Sequence, residues 1–475
     1  MPVKNKTAKD LSYSRINGRA GLAAAEAARM EELSKAYISF LGAAKTERLA
    51  HDETVKLLSA AGYADLDRLI QSGAALKPGD KIYRSCCGKT LMAVLIGEKP
   101  LESGLRIVGG HTDAPRLDIK QNPLYESGEL ALLDTHYYGG IKKYQWVALP
   151  LALHGVFVKP GGKKINVNIG DDESDPVLYI SDLLPHLGQE QAKRALGEGI
   201  SGEDLDVIAG SASCAGKKRK EKIKYRVLEI LHEKYGVTEA DFLSAELEIV
   251  PAGKPREAGL DRSLIVGYGH DDRICVYAGI RALLDIAKTP QYSACALLCD
   301  KEEVGSTGAT GMESLFFENT VAELLALQGA HSPEFAAKRA MSRSRMLSAD
   351  VNAAFDPLYP GPYEKKNAAL INHGTCVTKF TGARGKAGAN DANAEFLAEI
   401  RRIFDGAKVA WQAAELGKVD AGGGGTIAGI MARYGMEVVD CGVPLLSMHA
   451  PWEAAAKFDF YMTYKGFRAF FTDAK

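Results

Sequence analysis

Two adjacent glutamates, Glu302 and Glu303, are the residues of this sequence that most directly suggest chemistry. They follow the apolar run 294–299, and a short apolar run bounded by glycine-containing sequence predicts a buried strand of an α/β sheet. The pair would then emerge at the carboxyl end of that strand, where open α/β sheets place their ligands. Adjacent carboxylates repel each other, so one could bind a divalent metal while the other handles protons. The alternative is a solvated acidic turn.

Further histidines and carboxylates stand at the ends of predicted strands or in the turns beside them. They are His111, Asp113, Asp271, Asp272, Asp350 and His449. Imidazole and carboxylate ligands without thiolate are typical of a zinc-type site, and one metal would not need so many carboxylates. Two metals bridged by one carboxylate would use five protein ligands and leave one carboxylate free as a base. Each residue also has a structural alternative, such as a hydrogen-bonded histidine or an aspartate that caps a helix.

Composition and charge limit the classes of function. The length of 475 residues favours two or three domains, and 59 Lys and Arg against 60 Asp and Glu argue against a nucleic-acid-binding or membrane-binding surface. The longest apolar runs, such as 146–153, are shorter than the roughly 20 residues that span a bilayer. The polar start, residues 1–10, lacks the apolar segment of a secretory signal. Because the eight cysteines form no disulfide pattern, we expect a cytoplasmic protein.

An α/β framework must position these side chains, and the sequence predicts one. Apolar residues at helical spacing predict one or two helices in residues 21–61, and β-like runs predict strands at 81–83, 90–96 and 105–111. After Pro255 the alternation of helices and strands resumes. Helices are predicted at 274–288, 321–327, 334–340, 392–404 and 425–434, and strands at 292–299, 345–349, 408–413 and 437–440.

Residues 118–255 have a different character. Strand-like pieces at 146–158 and 164–169 alternate with turns, and Gly-Gly pairs occur at 139/140 and 161/162. We therefore expect a β-rich domain inserted into an α/β domain that comprises residues 1–117 and 256–475. The basic run KKRKEK at 217–222 is interpreted as a solvated loop, rather than as an anion-binding or nuclear-localisation patch.

The order of the motifs resembles that of the M18 family of metalloaminopeptidases, which includes aspartyl aminopeptidase, and resembles its bacterial branch most closely. The motifs are GHTDAPRL at 110–117, GHDDR at 269–273, EEVGS at 302–306, SADV at 348–351 and SMH at 447–449, with THYYGG at 135–140 and LPHL at 184–187 in the insert. The resemblance covers nearly the whole chain. It implies a mixed-sheet α/β metallopeptidase domain with an inserted β-rich dimerisation domain, and removal of the amino-terminal residue from short peptides.

The resemblance also implies a role for each candidate. The implied ligands are His111, Asp271 and Asp350 for one divalent ion and Asp271, Glu303 and His449 for a second. Zinc is the expected metal, and manganese and cobalt accept the same ligands. Glu302 would be the general base that takes a proton from the attacking water and delivers it to the leaving amine. Asp113 would accept a hydrogen bond from the His111 ring and fix its tautomer.

Two glycine-rich segments are candidates for substrate binding. AGGGGT at 421–426 includes Gly423 and Gly424 and would let backbone approach a ligand closely, or it is a flexible turn before a helix. TGARGK at 381–386 places Arg384 and Lys386 where they could meet an acidic side chain or a terminal carboxylate, unless this is a solvated basic loop. Aspartyl aminopeptidases use a basic group in this region, so an acidic preference stays open beside an aliphatic one.

The resemblance further implies an assembly of identical subunits. The insert is expected to pair subunits into dimers that form a tetrahedral dodecamer, and one of its histidines is expected to reach the neighbouring active site. His186 is the first candidate, ahead of His136 and His154. Two other functions remain open at this point. One is another two-metal hydrolase, such as a carboxypeptidase or an N-acyl amino acid deacylase, and the other is a catalytically inactive scaffold.

Overall fold

The structure is a computed structural model, and it describes residues 11–215, 220–382 and 384–473. Within these ranges the strands form three sheets, of nine, seven and five strands. The prediction made for residues 1–10 lies outside the described residues. So do residues 217–219 of the basic run and Ala383 of the 381–386 loop.

The nine-stranded mixed sheet is the centre of the α/β part. In order across the sheet, its strands are Ala64–Asp65, Lys81–Cys86, Thr90–Leu95, Ser293–Cys299, Leu105–His111, Arg345–Ser348, Glu437–Gly442, Thr375–Thr378 and Trp411–Ala413. The four strands from Ser293–Cys299 to Glu437–Gly442 in that order are mutually parallel. Nearly all of their residues are buried, as their apolar sequences predict. The carboxyl ends of these four strands therefore lie at one edge of the sheet.

Two hydrophobic cores lie on the two faces of this sheet. The strand 90–95 contributes Leu91 and Ala93 to one core and Met92 and Val94 to the other, because successive side chains point to opposite faces. The helices of the first core are Ala24–Ala43, Glu47–Ala60, His270–Leu284, Ala394–Gly406 and Lys457–Thr472, and those of the second are Leu66–Ser72, Phe316–Leu327, Pro333–Arg343 and Ile427–Ala432. In the part of the chain that is described, every helix is too short or too polar to cross a bilayer.

Residues 116–251 build the seven-stranded antiparallel sheet. In order, its strands are Ala245–Pro251, Arg116–Ser127, Leu130–Tyr138, Val207–Gly210, Leu178–Tyr179, Pro150–Val158 and Lys164–Ile169. The first strand of this order also pairs with Pro150–Val158, so the sheet curls back on itself. Trp146 lies in its core, and the segment also holds the helices Gln189–Ala192 and Lys222–Tyr235. The division of the chain at residues 118 and 255 stays a prediction.

The five-stranded sheet and the last helix, Lys457–Thr472, are elements that the sequence patterns did not predict. In order, the strands of this sheet are Arg256–Ala258, Leu264–Gly267, Glu453–Ala456, Pro444–Leu446 and Asn352–Ala353. Most of the strands and helices that were predicted occur within a few residues of the expected bounds. The helix expected at 274–288, for example, is His270–Leu284.

Candidate metal centre

The predicted metal ligands meet at the carboxyl edge of the parallel strands. His111 ends the strand Leu105–His111, Asp350 follows Arg345–Ser348, and the glutamate pair follows Ser293–Cys299. Asp271 lies at the start of the helix His270–Leu284, where its backbone angles are not helical. His449 lies in the turn between two strands of the five-stranded sheet. Five separate segments of the chain therefore contribute to one cluster.

Asp271 lies at the centre of this cluster. Its Oδ1 is 3.1 Å from Nε2 of His111, and its Oδ2 is 3.3 Å from Nε2 of His449. The same Nε2 of His449 is 3.4 Å from Oε2 of Glu303. Each carboxylate oxygen of Asp271 thus faces a different histidine, an arrangement that suits a carboxylate shared by two ions.

Two groups of donor atoms are close enough to hold an ion each. One donor atom from each of His111, Asp271 and Glu303 lies within 4.8 Å of the other two, and the same is true of Asp271, Asp272 and Asp350. Oδ1 of Asp271 and Oε1 of Glu303 are buried without a hydrogen-bond partner, as expected of oxygens whose partner is a cation. This donor chemistry fits zinc. Both groups differ from the expected sets: His111, rather than His449, accompanies Glu303, and Asp272, rather than His111, accompanies Asp350.

The electrostatics of the cluster favour a bound cation. Burial, together with the charge of Asp271, raises the pKa of both Asp350 and Glu303 well above the usual carboxyl range. Burial is also the main reason that the pKa of Glu302 is raised to about 7. Burial alone would lower the pKa of His449, but Asp271 and Glu303 outweigh it and raise the pKa to about 10. Crowded carboxylates of this kind are stabilised by positive charge.

Asp113 holds the backbone of the glutamate pair in place. Its carboxylate accepts hydrogen bonds from the backbone N–H of Glu302 and that of Glu303, both at 3.1 Å. Nδ1 of His111 lies 3.0 Å from the backbone oxygen of Asp113 and 3.4 Å from its carboxylate, so the nearer acceptor of the ring is a carbonyl. The pair itself lies in the 3₁₀ turn Glu302–Val304. Because the two glutamates lie in this turn, their side chains are not separated by the alternation of side chains along a strand.

The seven-stranded sheet reaches the cluster through residues 138–140. Tyr138 donates a hydrogen bond from its hydroxyl to the carboxylate of Asp113 at 2.9 Å. The carbonyl of Gly140 lies 3.0 Å from Nδ1 of His449. Gly139 has a φ of 73°, and a Cβ atom there would lie 3.3 Å from Cβ of Glu303. The Gly-Gly pair at 139/140 was the only sequence signal of this close approach.

Glu453 is a residue of the site that the sequence analysis missed. It is buried, and its carboxylate accepts hydrogen bonds from the backbone N–H of His449 at 2.9 Å and that of Asp271 at 3.2 Å. A single signal could have pointed to it. Glu453 opens the strand Glu453–Ala456, whose other residues are alanines, and a charged residue in such a run needs a partner.

A cavity of about 530 Å³ opens onto the cluster. Glu302, Gly423 and Gly424 are among the residues that line it, so the glycine run lies beside the predicted ligands as expected. The run ends at Thr426, whose hydroxyl donates to the carboxylate of Asp440 at 2.7 Å and whose side chain caps the next helix. The glycine run is therefore anchored at its carboxyl end.

Arg384 and Lys386 line a neighbouring, smaller cavity of about 180 Å³. The two cavities share Gly423 in their walls. Lys386 is engaged elsewhere, because its Nζ lies 2.9 Å from the carboxylate of Asp391. The two cations thus lie beside the main cavity rather than in its wall.

The histidines of the insert lie away from the cavity of their own chain. His186 and His136 are exposed, and neither lines that cavity. His154 is buried, with its Nε2 3.1 Å from the carboxylate of Asp171. His154 therefore cannot reach a neighbouring subunit, whereas the other two histidines are accessible.

Comparisons with known proteins identify the family of this chain. The family described as aminopeptidase I zinc metalloprotease (M18) matches residues 40–471. A probable M18 family aminopeptidase 1 of Clostridium acetobutylicum is 52% identical over 438 residues, which cover 92% of this chain and 94% of that protein. The crystal structure of an M18 aminopeptidase from Thermotoga maritima has a TM-score of 0.92 and 43% identity, and it covers 97% of this chain and 99% of its own. The crystal structure of aminopeptidase I from C. acetobutylicum has a TM-score of 0.91 and 48% identity, with 97% and 100% coverage. The chain therefore belongs to the M18 family of zinc aminopeptidases, which are peptide hydrolases.

Proposed function

We propose that this aminopeptidase holds two zinc ions through the ligand sets His111, Asp271 and Asp350 and Asp271, Glu303 and His449. The observation that carries the proposal is the position of Asp271, whose two carboxylate oxygens face His111 and His449. Ions bound there lower the pKa of the attacking water and polarise the scissile carbonyl. Manganese or cobalt would fit the same donors.

Glu302 is the proposed general base. Its carboxylate lines the cavity and lies 3.9 Å from Nε2 of His111, so it borders the ligands while staying outside both ligand sets. In this role it accepts a proton from the attacking water and later transfers that proton to the nitrogen of the leaving peptide. Asp113 holds the backbone of this residue and thereby its position.

Replacing Glu302 by Gln tests this role. The Glu302→Gln variant keeps the size of the side chain and should retain the fold and the metal, but lose roughly 10²-fold or more in kcat. Glu313→Gln is a matched control, since Glu313 lines the same cavity but lies outside the ligand sets. Near-normal turnover of Glu302→Gln, with the metal content unchanged, would show that Glu302 is not the general base.

The proposed substrates are short peptides with a free amino terminus. If acidic amino-terminal residues are preferred, Arg384 is the proposed reader, because Lys386 is paired with Asp391. A panel of acidic and neutral aminoacyl substrates, tested on the wild type and on Arg384→Gln, decides this point. A selective loss on acidic substrates supports the role of Arg384, and an equal loss on all substrates refutes it. Hydrolysis of acetylated peptides alone would instead indicate a deacylase.

The proposed quaternary structure is a homo-oligomer that pairs through residues 118–255. This segment exposes apolar side chains at Val177, Tyr179, Leu183, Leu184, Leu187 and Leu196. The structure of the yeast mApe1 dodecamer has the same fold, with a TM-score of 0.73 at 20% identity. The proposed arrangement is a tetrahedral dodecamer assembled from dimers, in which His186 reaches the cavity of a neighbouring subunit. The proposed location of the protein is the cytoplasm, where its eight free cysteines would stay reduced.

Light scattering tests the assembly. The wild type should have the mass of an oligomer, and Leu187→Asp should dissociate it, because a charge in an apolar interface is costly. A control substitution outside this segment, Leu260→Asp, replaces a leucine that is even more exposed than Leu187 and should leave the mass unchanged. A monomeric wild type would contradict the proposal.

A further inference from the structure

We propose that Glu453 is a positioning residue that fixes the backbone of two metal ligands at once. The inference rests on the ligand roles proposed above for Asp271 and His449. Each oxygen of the Glu453 carboxylate accepts one backbone hydrogen bond, Oε1 from His449 and Oε2 from Asp271. One side chain therefore sets the spacing between the bridging carboxylate and the histidine that faces it.

The chemistry of the Glu453 side chain matches this task. Only 2% of its surface is exposed, and each of its two carboxyl oxygens can accept a hydrogen bond. An amide of the same size would instead present a donor to one of the two N–H groups.

The backbone at His449 needs such a support. Ser447 has a φ of 58° and His449 has a φ of 65°, which is the left-handed region that residues other than glycine rarely adopt. Glu453 holds the N–H of His449, and the carbonyl of Gly140 holds its Nδ1. Both contacts together leave Nε2 of the ring facing Asp271 and Glu303.

The backbone at Asp271 is tied to the same sheet. Glu453 pairs with Gly267 across two antiparallel strands of the five-stranded sheet, and Gly267 lies shortly before Asp271. Asp271 has a φ of −78° and a ψ of 107°, so its N–H lies outside the regular helix. The carboxylate of Glu453 accepts the hydrogen bond from this N–H. The five-stranded sheet thus links the start of a helix to the turn at residues 447–449.

The test is the zinc affinity of Glu453→Gln, measured on chelated protein by competition with a fluorescent zinc chelator. Loss of a residue that orients metal ligands typically weakens metal binding by about 10-fold to 100-fold, and we expect a loss in this range. Excess zinc should restore most of the turnover with an unchanged KM, because Glu453 does not line the cavity. If the Gln variant fails to fold, Glu453→Asp replaces it in the test. The aspartate side chain is too short to hold both N–H groups, so this variant should lose part of the zinc affinity.

Asp459→Asn is the matched control. Asp459 is also a buried carboxylate that accepts two backbone hydrogen bonds, from Asn372 at 2.8 Å and Gly374 at 2.7 Å, but it lies away from the cluster. The control should lower the melting temperature and leave the zinc affinity unchanged. Unchanged affinity in Glu453→Gln, or an equal loss in Asp459→Asn, would overturn the proposal. Should the wild type bind zinc without cleaving any peptide, the proposed function fails, while the affinity measurement still decides the role of Glu453.

Discussion

Replacement of Asp113 by Asn is the perturbation that most sharply tests how the catalytic glutamates are held. Asp113 accepts three hydrogen bonds, from the backbone N–H of Glu302, the backbone N–H of Glu303 and the hydroxyl of Tyr138. Asparagine has the same size but only one acceptor oxygen on its side chain. One of the two backbone N–H groups would therefore face an NH₂ group, and the turn that carries the glutamates would shift.

The size of the effect follows from these contacts. A hydrogen bond to a charged group contributes about 1.5–3 kcal/mol. If that amount is lost from the transition state, kcat falls by about 10-fold to 150-fold, because each 1.4 kcal/mol is a factor of ten. KM should change little, since Asp113 does not line the cavity.

Steady-state kinetics and zinc analysis of Asp113→Asn provide the assay. Tyr138→Phe is the graded control, because it removes one hydroxyl donor and leaves both backbone hydrogen bonds in place. Its loss in kcat should be smaller than that of Asp113→Asn, because the turn that carries the glutamates keeps both of its backbone hydrogen bonds. A wild-type kcat in Asp113→Asn, or an equal loss in the two variants, would refute the reasoning.

Two further predictions concern the metal and the effect of pH. Glu303→Ala should bind one zinc ion fewer than the wild type, and unchanged content in elemental analysis would contradict its ligand role. Burial alone would raise the pKa of Glu47, but Arg116 and Lys89 outweigh it and hold that pKa well below the usual range. Glu47 therefore stabilises the fold above the ordinary glutamate pKa and loses this effect as the pH falls. The difference in melting temperature between wild type and Glu47→Gln should narrow below about pH 4.5, and a constant difference would contradict this.

The residues at strand ends could be predicted from the sequence because two simple rules combine there. A continuous apolar run identifies a buried strand, and parallel strands place their carboxyl ends at the same edge. His111, Asp350 and the glutamate pair follow such runs, and the structure brings all of them to one cluster. The helix starting near Asp271 was predicted a few residues late, since its first residues lack helical backbone angles.

Other parts of the site could not be predicted, for reasons that lie in the structure. The strands of the five-stranded sheet have two to four residues, which is too short for a periodic pattern. Glu453, which belongs to this sheet, was missed with it. The contact of Gly140 with His449 uses a backbone carbonyl, so the Gly-Gly pair could indicate a close approach but not which atom makes the contact. Arg384 and Lys386 line the smaller cavity rather than the one that opens onto the cluster. The composition of their loop does not determine which of the two cavities it lines.

Tyr138, which donates to Asp113, and the Gly140 carbonyl, which faces His449, make the α/β part dependent on the seven-stranded sheet. A fragment that keeps the α/β part and replaces residues 118–255 by a short linker would lose the hydroxyl that holds Asp113 and the carbonyl that orients His449. Such a minimal enzyme would carry every proposed ligand and still bind its metal poorly. The corner of the seven-stranded sheet at residues 138–140 must therefore evolve together with the residues of the catalytic cluster.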